Sequence, residues 1–172
     1  MRRSVVRFSL PAAAALLAFA APLGAQSVSA VSLGGGVTNY DLSGVGTVPS
    51  FNLRAEAPLS RNFVLEPGVM FFRPELQGGG DATLLIPEVQ GQLQLPLGPV
   101  APYVGAGLGV ALGWGPADRG GFETELAPSA GVGLRVDYGG LLGFVIDGRI
   151  HGMGWDLDGG ATEVTVGVRL RR

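Results

Sequence analysis

VAPYVGAGLGVALGW, residues 100 to 114, is the stretch that decides the fold. Its even positions carry Val100, Val104, Ala106, Leu108, Val110, Leu112 and Trp114. Its odd positions carry Ala101, Tyr103, Gly105, Gly107, Gly109, Ala111 and Gly113. A period of two is the mark of a β-strand, whose successive side chains point to opposite faces. A face made almost wholly of Gly and Ala would be a strange surface for water. Inside a narrow barrel the same face leaves room for long side chains from neighbouring strands. The apolar face then points outward, and an outward apolar face needs lipid.

The rest of the chain alternates in the same way. Ser50 to Ala57 sets Phe51, Leu53, Ala55 and Ala57 against Asn52, Arg54 and Glu56. Leu85 to Leu95 sets Leu85, Val89, Leu93 and Leu95 against Glu88, Gln90, Gln92 and Gln94. Phe122 to Tyr138, Leu141 to His151 and Ala161 to Arg171 repeat the pattern. Val28 to Tyr40 and Phe63 to Phe72 are less regular strands, the second with Glu66 on its polar face. Eight strands of about ten residues result, each long enough to cross a bilayer when tilted. The connections alternate too. Asp41–Pro49, Arg73–Ala82, Gly115–Gly121 and Gly152–Gly160 are long, whereas Pro58–Asn62, Pro96–Pro99 and Gly139–Gly140 are short turns. Long connections at one end and short ones at the other predict an all-β fold: an eight-stranded antiparallel up-and-down transmembrane β-barrel.

Composition agrees. The 172 residues are 47% hydrophobic and only 15% charged, far too apolar for a disordered chain. There is no Cys, hence no disulfide framework, lipoprotein anchor or Cys-based metal site. All twelve basic residues are Arg, and acids outnumber them, so nothing points to nucleic acid as a partner. The complete absence of Lys has two readings, a small water-facing surface or GC-rich codon usage.

Residues 1–25, MRRSVVRFSLPAAAALLAFAAPLGA, read as a signal peptide. Arg2, Arg3 and Arg7 form the positive end, and an apolar stretch from Phe8 to Leu23 follows. That stretch contains Pro11 and Pro22 and is short of the roughly 20 residues a spanning helix needs. Cleavage after Ala25 is expected, with Val28-Ser29-Ala30 a second possible site. Residues 26–172 then form the outer-membrane barrel domain.

Parity assigns the lumen an ion network of Arg54, Glu56, Glu66, Glu88, Glu125, Arg135, Asp137, Asp147, Arg149, Glu163 and Arg169. Both signs are present, as charges confined in a narrow interior require. Tyr40, Phe51, Phe63, Phe72, Trp114, Phe122 and Tyr138 lie near strand ends, where interfacial aromatic girdles are expected. The competing reading of the same alternation is a soluble periplasmic, lipocalin-like barrel holding an apolar ligand.

The segment Leu85-Ile86-Pro87-Glu88-Val89, the strand from Ala101 to Gly109 and the closing Val164 to Leu170 resemble the small OmpA-like and OmpW-like outer-membrane barrels of Gram-negative-type bacteria. The resemblance covers residues 26 to 172. It implies a non-enzymatic protein of the cell outer membrane, with a role in envelope integrity, surface contact or minor solute passage. It also implies outer-membrane lipid as surroundings, and periplasmic chaperones and the barrel-assembly machinery as partners during biogenesis. Such chains usually end in an aromatic residue; Arg172 stands there instead.

Three motifs have bland readings beside their functional ones. Gly105-Ala106-Gly107-Leu108-Gly109 lacks the G-x-G-x-x-G spacing of a dinucleotide loop and reads as strand glycines. His151, the only His, could belong to a lipid-modifying enzyme at the membrane rim. Met153 stands where an H-x-S arrangement would put Ser, and no G-x-S-x-G elbow occurs, so no catalytic residue is assigned. Asp156-Leu157-Asp158-Gly159-Gly160 begins like a calcium loop but lacks its third oxygen ligand and distal Glu, so no metal or cofactor is assigned. The export reading makes a direct prediction: intact mass of the membrane-extracted protein places its N-terminus at or near Gln26, and a retained Met1 would contradict it.

Overall fold

The computed structural model describes residues 28–42, 45–75, 80–115, 122–153 and 159–172, and their regular structure is all β-strand. The elements are β1 (Ala30–Asp41), β2 (Val45–Pro58), β3 (Phe63–Phe72), β4 (Thr83–Gln94), β5 (Val100–Trp114), β6 (Phe122–Asp137), β7 (Leu142–Met153) and β8 (Gly159–Arg171). Each strand pairs antiparallel with the next, and β8 returns to β1, closing the barrel. The closing ladder runs in register from Ala30↔Arg171 to Asp41↔Gly160. Closure satisfies every strand edge within the sheet, which is what a backbone surrounded by hydrocarbon must achieve. No helix among the described residues is long and apolar enough to cross a membrane; the crossing is made by strands.

The apolar side chains face outward. Leu33, Val37, Leu53, Val104, Leu108, Val132, Ile150, Val164, Val166 and Leu170 are all exposed on the barrel wall, Leu33 to 65%. Their alternate neighbours, such as Arg54, Glu88, Gln90, Arg149 and Glu163, are buried. This polarity is the reverse of a soluble barrel and removes the lipocalin-like alternative.

The Gly-rich face of β5 does what its composition predicts. A Cβ on Gly105 would stand 2.7 Å from Gln90 Oε1, and one on Gly107 would stand 2.9 Å from Ser129 Oγ. On β6, a Cβ at Gly131 would meet Arg149 Cγ at 2.8 Å. Absent side chains on β5 and β6 therefore make the volume that long polar side chains from β4 and β7 fill. At the short-turn end, Gly139 and Gly140 take φ of 80° and 92°, open to glycine without steric cost, and join β6 to β7.

The interior has two layers. Toward the short turns lies the polar network; toward the long loops lies an apolar cluster of Tyr40, Met70, Phe72, Ile86, Ala111, Ala127, Met153 and Ala161. Leu42, Val48 and Leu84 pack against it. The Tyr40 hydroxyl accepts from Glu75 N at 2.9 Å and lies 3.3 Å from Glu75 O, which ties the segment after β3 across the mouth.

Two expectations change. Tyr40 and Phe72, which nearness to strand ends assigns to the interfacial girdle, are 2% and 0% exposed, inside the barrel. They share strand parity with the inward Thr38 and Met70, and parity outranks their nearness to strand ends. Phe51, Phe63, Trp114 and Tyr138 do face outward; the Phe122 side chain lies outside the described residues. The long loop expected at Asp41–Pro49 is also absent, because β2 starts at Val45 and pairs with β1 through Asp41↔Val45. Gly46 permits this extension: a Cβ there would stand 2.7 Å from the Tyr40 hydroxyl.

The facing generates a stability prediction. Leu108→Arg or Val166→Arg, near the middle of the lipid-facing wall, should cost about 2–4 kcal/mol in urea unfolding from lipid vesicles. Leu59→Arg, in the β2–β3 turn, should stay within about 0.5 kcal/mol of the parent.

Candidate functional site

The lumen between the apolar cap and the short turns is crossed by a continuous set of ion pairs drawn from six strands, β2, β3, β4, β6, β7 and β8. Arg149 of β7 is the hub of its upper part. It donates from Nη1 to Glu88 Oε1 at 2.6 Å, from Nε to Asp147 Oδ1 at 2.7 Å, and from Nη2 to Glu66. Arg54 of β2 donates from Nη1 to Asp147 Oδ1 at 2.8 Å and from Nη2 to Glu163 Oε2 at 2.9 Å. Glu66 of β3 then carries the network downward, because its Oε2 accepts from Arg135 Nη2 at 2.9 Å.

Arg135 of β6 is the second hub. Its Nε donates to Glu56 Oε1 at 3.0 Å, its Nη2 also meets Gln92, and its guanidinium lies 4.1 Å from the centre of the Tyr103 ring. Arg169 of β8 holds Glu56 with two donors, Nε at 2.7 Å and Nη2 at 2.6 Å, and reaches Asp137 Oδ1 at 2.6 Å. Asp137 also lies 3.5 Å from Arg171 Nη1, so the network ends in water at the short-turn mouth.

Uncharged groups complete the valences. Asn52 donates to Glu163 Oε1 at 2.7 Å, Ser129 donates to Glu88 Oε2 at 2.8 Å, and the Tyr103 hydroxyl donates to Asp147. Parity placed Asn52 and Tyr103 on inward faces, but their roles as donors follow only from the three-dimensional arrangement. Ser129 is found the same way: it shares parity with Arg135 on β6.

Of the eleven residues assigned to the lumen from sequence, nine are buried in it: Arg54, Glu56, Glu66, Glu88, Arg135, Asp147, Arg149, Glu163 and Arg169. Asp137 is at the mouth, with its side chain 27% exposed. Glu125 is a correction: it is exposed, two residues beyond Ala127 of the apolar cap and so on the water side of that layer. Inward parity near a strand end leads past the core into solvent.

His151 lies not at the rim but in the lumen, 2% exposed. Ser129, opposite it in register, donates to Glu88 and not to the ring. No group of three or more His, Asp or Glu among the described residues is arranged to hold a metal ion. The Asp156–Gly160 motif falls largely outside the described residues.

Comparison with known proteins places the molecule. Residues 11–171 match the family model of the outer membrane protein β-barrel domain. The chain belongs to this family. It is accordingly a small outer-membrane β-barrel, and the outer membrane is its location. No curated protein matches the sequence. Among solved structures, Neisserial surface protein A superposes with a TM-score of 0.72 at 16% identity, over 85% of this chain and 98% of that one. The N-terminal barrel domain of Pseudomonas aeruginosa OprF gives 0.61 at 14% identity, over 86% and 100%. Ail, the attachment invasion locus protein of Yersinia pestis, in complex with the heparin analogue sucrose octasulfate, gives 0.58 at 13% identity, over 86% and 99%. At these identities the likeness is one of fold.

Breaking a buried ion pair by removing one partner typically costs about 3–5 kcal/mol, because the other charge is left without compensation. Arg149→Ala and Arg135→Ala should each destabilise the barrel by about that amount. Arg61→Ala, in the exposed β2–β3 turn, should be near neutral; equilibrium unfolding in lipid vesicles measures all three.

Proposed function

We propose that this protein is a non-catalytic, closed barrel that serves envelope integrity rather than solute passage. The observation that supports this reading is the double filling of the lumen. A cylinder of eight strands has an interior just wide enough for side chains to fill. Here the Arg and Glu side chains engage one another across it, and Phe72, Met70 and Ile86, each 1% exposed or less, cover them on the long-loop side. Ions crossing it would have to displace both an apolar layer and a set of charge-assisted bonds.

Several further readings accompany this one. Residues 1–25 act as a cleaved export signal, and the mature chain depends on periplasmic chaperones and the barrel-assembly machinery, with β8 as the strand those factors engage. Non-catalytic operation fits the surroundings of His151, whose ring nitrogens lie 3.9 and 3.8 Å from the carboxylates of Glu88 and Glu163, while Ser129 opposite it donates to Glu88. Ail, one of the fold neighbours, was solved with a heparin analogue. Surface contact of that kind is a second role such a barrel can carry, but none of the described residues of this chain supports it specifically.

Planar-bilayer recording tests the closed barrel. The parent protein should show no large discrete conductance, and Arg135→Ala alone should open none, since the apolar cap still covers the lumen. A parent channel whose size or selectivity changes in Arg135→Ala would refute the closed-barrel reading.

A further inference from the structure

The lumen is not balanced by its arginines. Among the described residues, four guanidinium groups are buried there, on Arg54, Arg135, Arg149 and Arg169. They face five buried carboxylates, on Glu56, Glu66, Glu88, Asp147 and Glu163. Asp137 does not change the difference, because it is partly exposed and has Arg171 beside it. One negative charge is therefore left over in an interior from which water is largely excluded, an arrangement that is strongly disfavoured unless a cation or a proton meets it.

The remaining basic group among the described residues of that interior is His151; the Tyr103 phenol of β5 stays a neutral donor to Asp147. Its side chain is fully buried, with Nδ1 3.9 Å from Glu88 Oε2 and Nε2 3.8 Å from Glu163 Oε2. Neither nitrogen makes a hydrogen bond to the protein. The two carboxylates lie at opposite ends of the ring, so they cannot share one metal ion with it. One proton added to the ring serves both. A neutral imidazole has one N–H and one lone pair, and the lone pair would point at a carboxylate oxygen. An imidazolium presents N–H at both ends, and only that form is complementary to both neighbours.

The other surroundings agree. On its own strand β7, Asp147 and Arg149 neutralise each other, and Arg149 also holds Glu88. From β2, Arg54 and Asn52 hold Glu163; from β6, Ser129 holds Glu88. The Glu66 carboxylate of β3 is engaged by Arg135 and Arg149. Strand β5 has no charged residue, and the single charge of β1, Asp41, is exposed.

We infer that Glu88, His151 and Glu163 form a buried proton-binding site, in which the imidazolium is the fifth cation of the lumen. The site lies between the ion network and the apolar cap, and it does not depend on whether the lumen conducts. Because His151 is the only histidine of the chain, its ring can be observed without assignment. The test is nitrogen NMR of the full barrel labelled with ¹⁵N-histidine, refolded into lipid nanodiscs at neutral pH. Both ring nitrogens of the parent should show the protonated signature. Glu163→Gln and Glu88→Gln each remove the leftover charge and one end partner, so the ring should shift to the neutral form in each. A neutral ring in the parent overturns the proposal, since the proton would then sit on a carboxyl group. An imidazolium unchanged in a refolded Gln variant overturns it as well. If a variant does not refold, the parent spectrum decides by itself.

Discussion

The structure depends on one constraint, the neutralisation of charge inside a cylinder too narrow to hold bulk water. Lipid on the outside forces the apolar residues outward, which leaves the polar ones no destination but the lumen. Once there, each guanidinium and carboxylate needs a partner within bonding distance. Glu66 shows how tightly this is met, since one carboxylate joins Arg135 below to Arg149 above. The glycines of β5 and β6 follow from the same constraint. A side chain at Gly105, Gly107 or Gly131 would occupy volume now taken by Gln90, Ser129 or Arg149.

The apolar cap gives the interior a second physical regime. Charge-assisted bonds fix partners and directions, whereas Phe72, Met70 and Ile86 fill space without direction. The cap also keeps water off the network from the long-loop side, which strengthens the attraction between the charges beneath it. At the opposite mouth the network itself reaches water. Asp137 and Arg171 there are partly exposed, and ion pairs in that setting contribute little. The lumen thus grades from apolar, through dry and ionic, to wet and ionic along the barrel axis.

Much of this was legible in the residues. Alternation in VAPYVGAGLGVALGW and its neighbours was enough for strand number, strand order and facing, because a membrane barrel obeys one period throughout. The same parity brought Arg54, Glu88 and Glu163 to one interior. It failed where chemistry was allowed to override it. Tyr40 and Phe72 look like girdle residues, and only strict counting from Thr38 and Met70 turns them inward. Glu125 fails for the opposite reason: its parity is inward, but depth along the axis is not encoded in a period of two. Partner choice was not legible either. Which carboxylate Arg149 holds depends on strand tilt and stagger, which relate residues far apart in sequence.

That separation bears on how the barrel forms. Arg169 and Glu56 are 113 residues apart, and Arg54 and Glu163 are 109 apart. Both pairs join β2 to β8, strands with β1 between them in the closed sheet. They can therefore form only when the last strand has returned to the first. Until then Arg54, Glu56 and Glu163 are charged groups without some of their partners, on a sheet with two open edges. The loop to be closed spans nearly the whole domain, so its entropy opposes closure until these contacts are made. When β8 does pair with β1, the ladder from Ala30↔Arg171 to Asp41↔Gly160 and the cross-lumen ion pairs appear together. An incompletely closed barrel thus lacks both its edge pairing and its charge compensation, which couples closure to the network and leaves little stability to partly assembled forms.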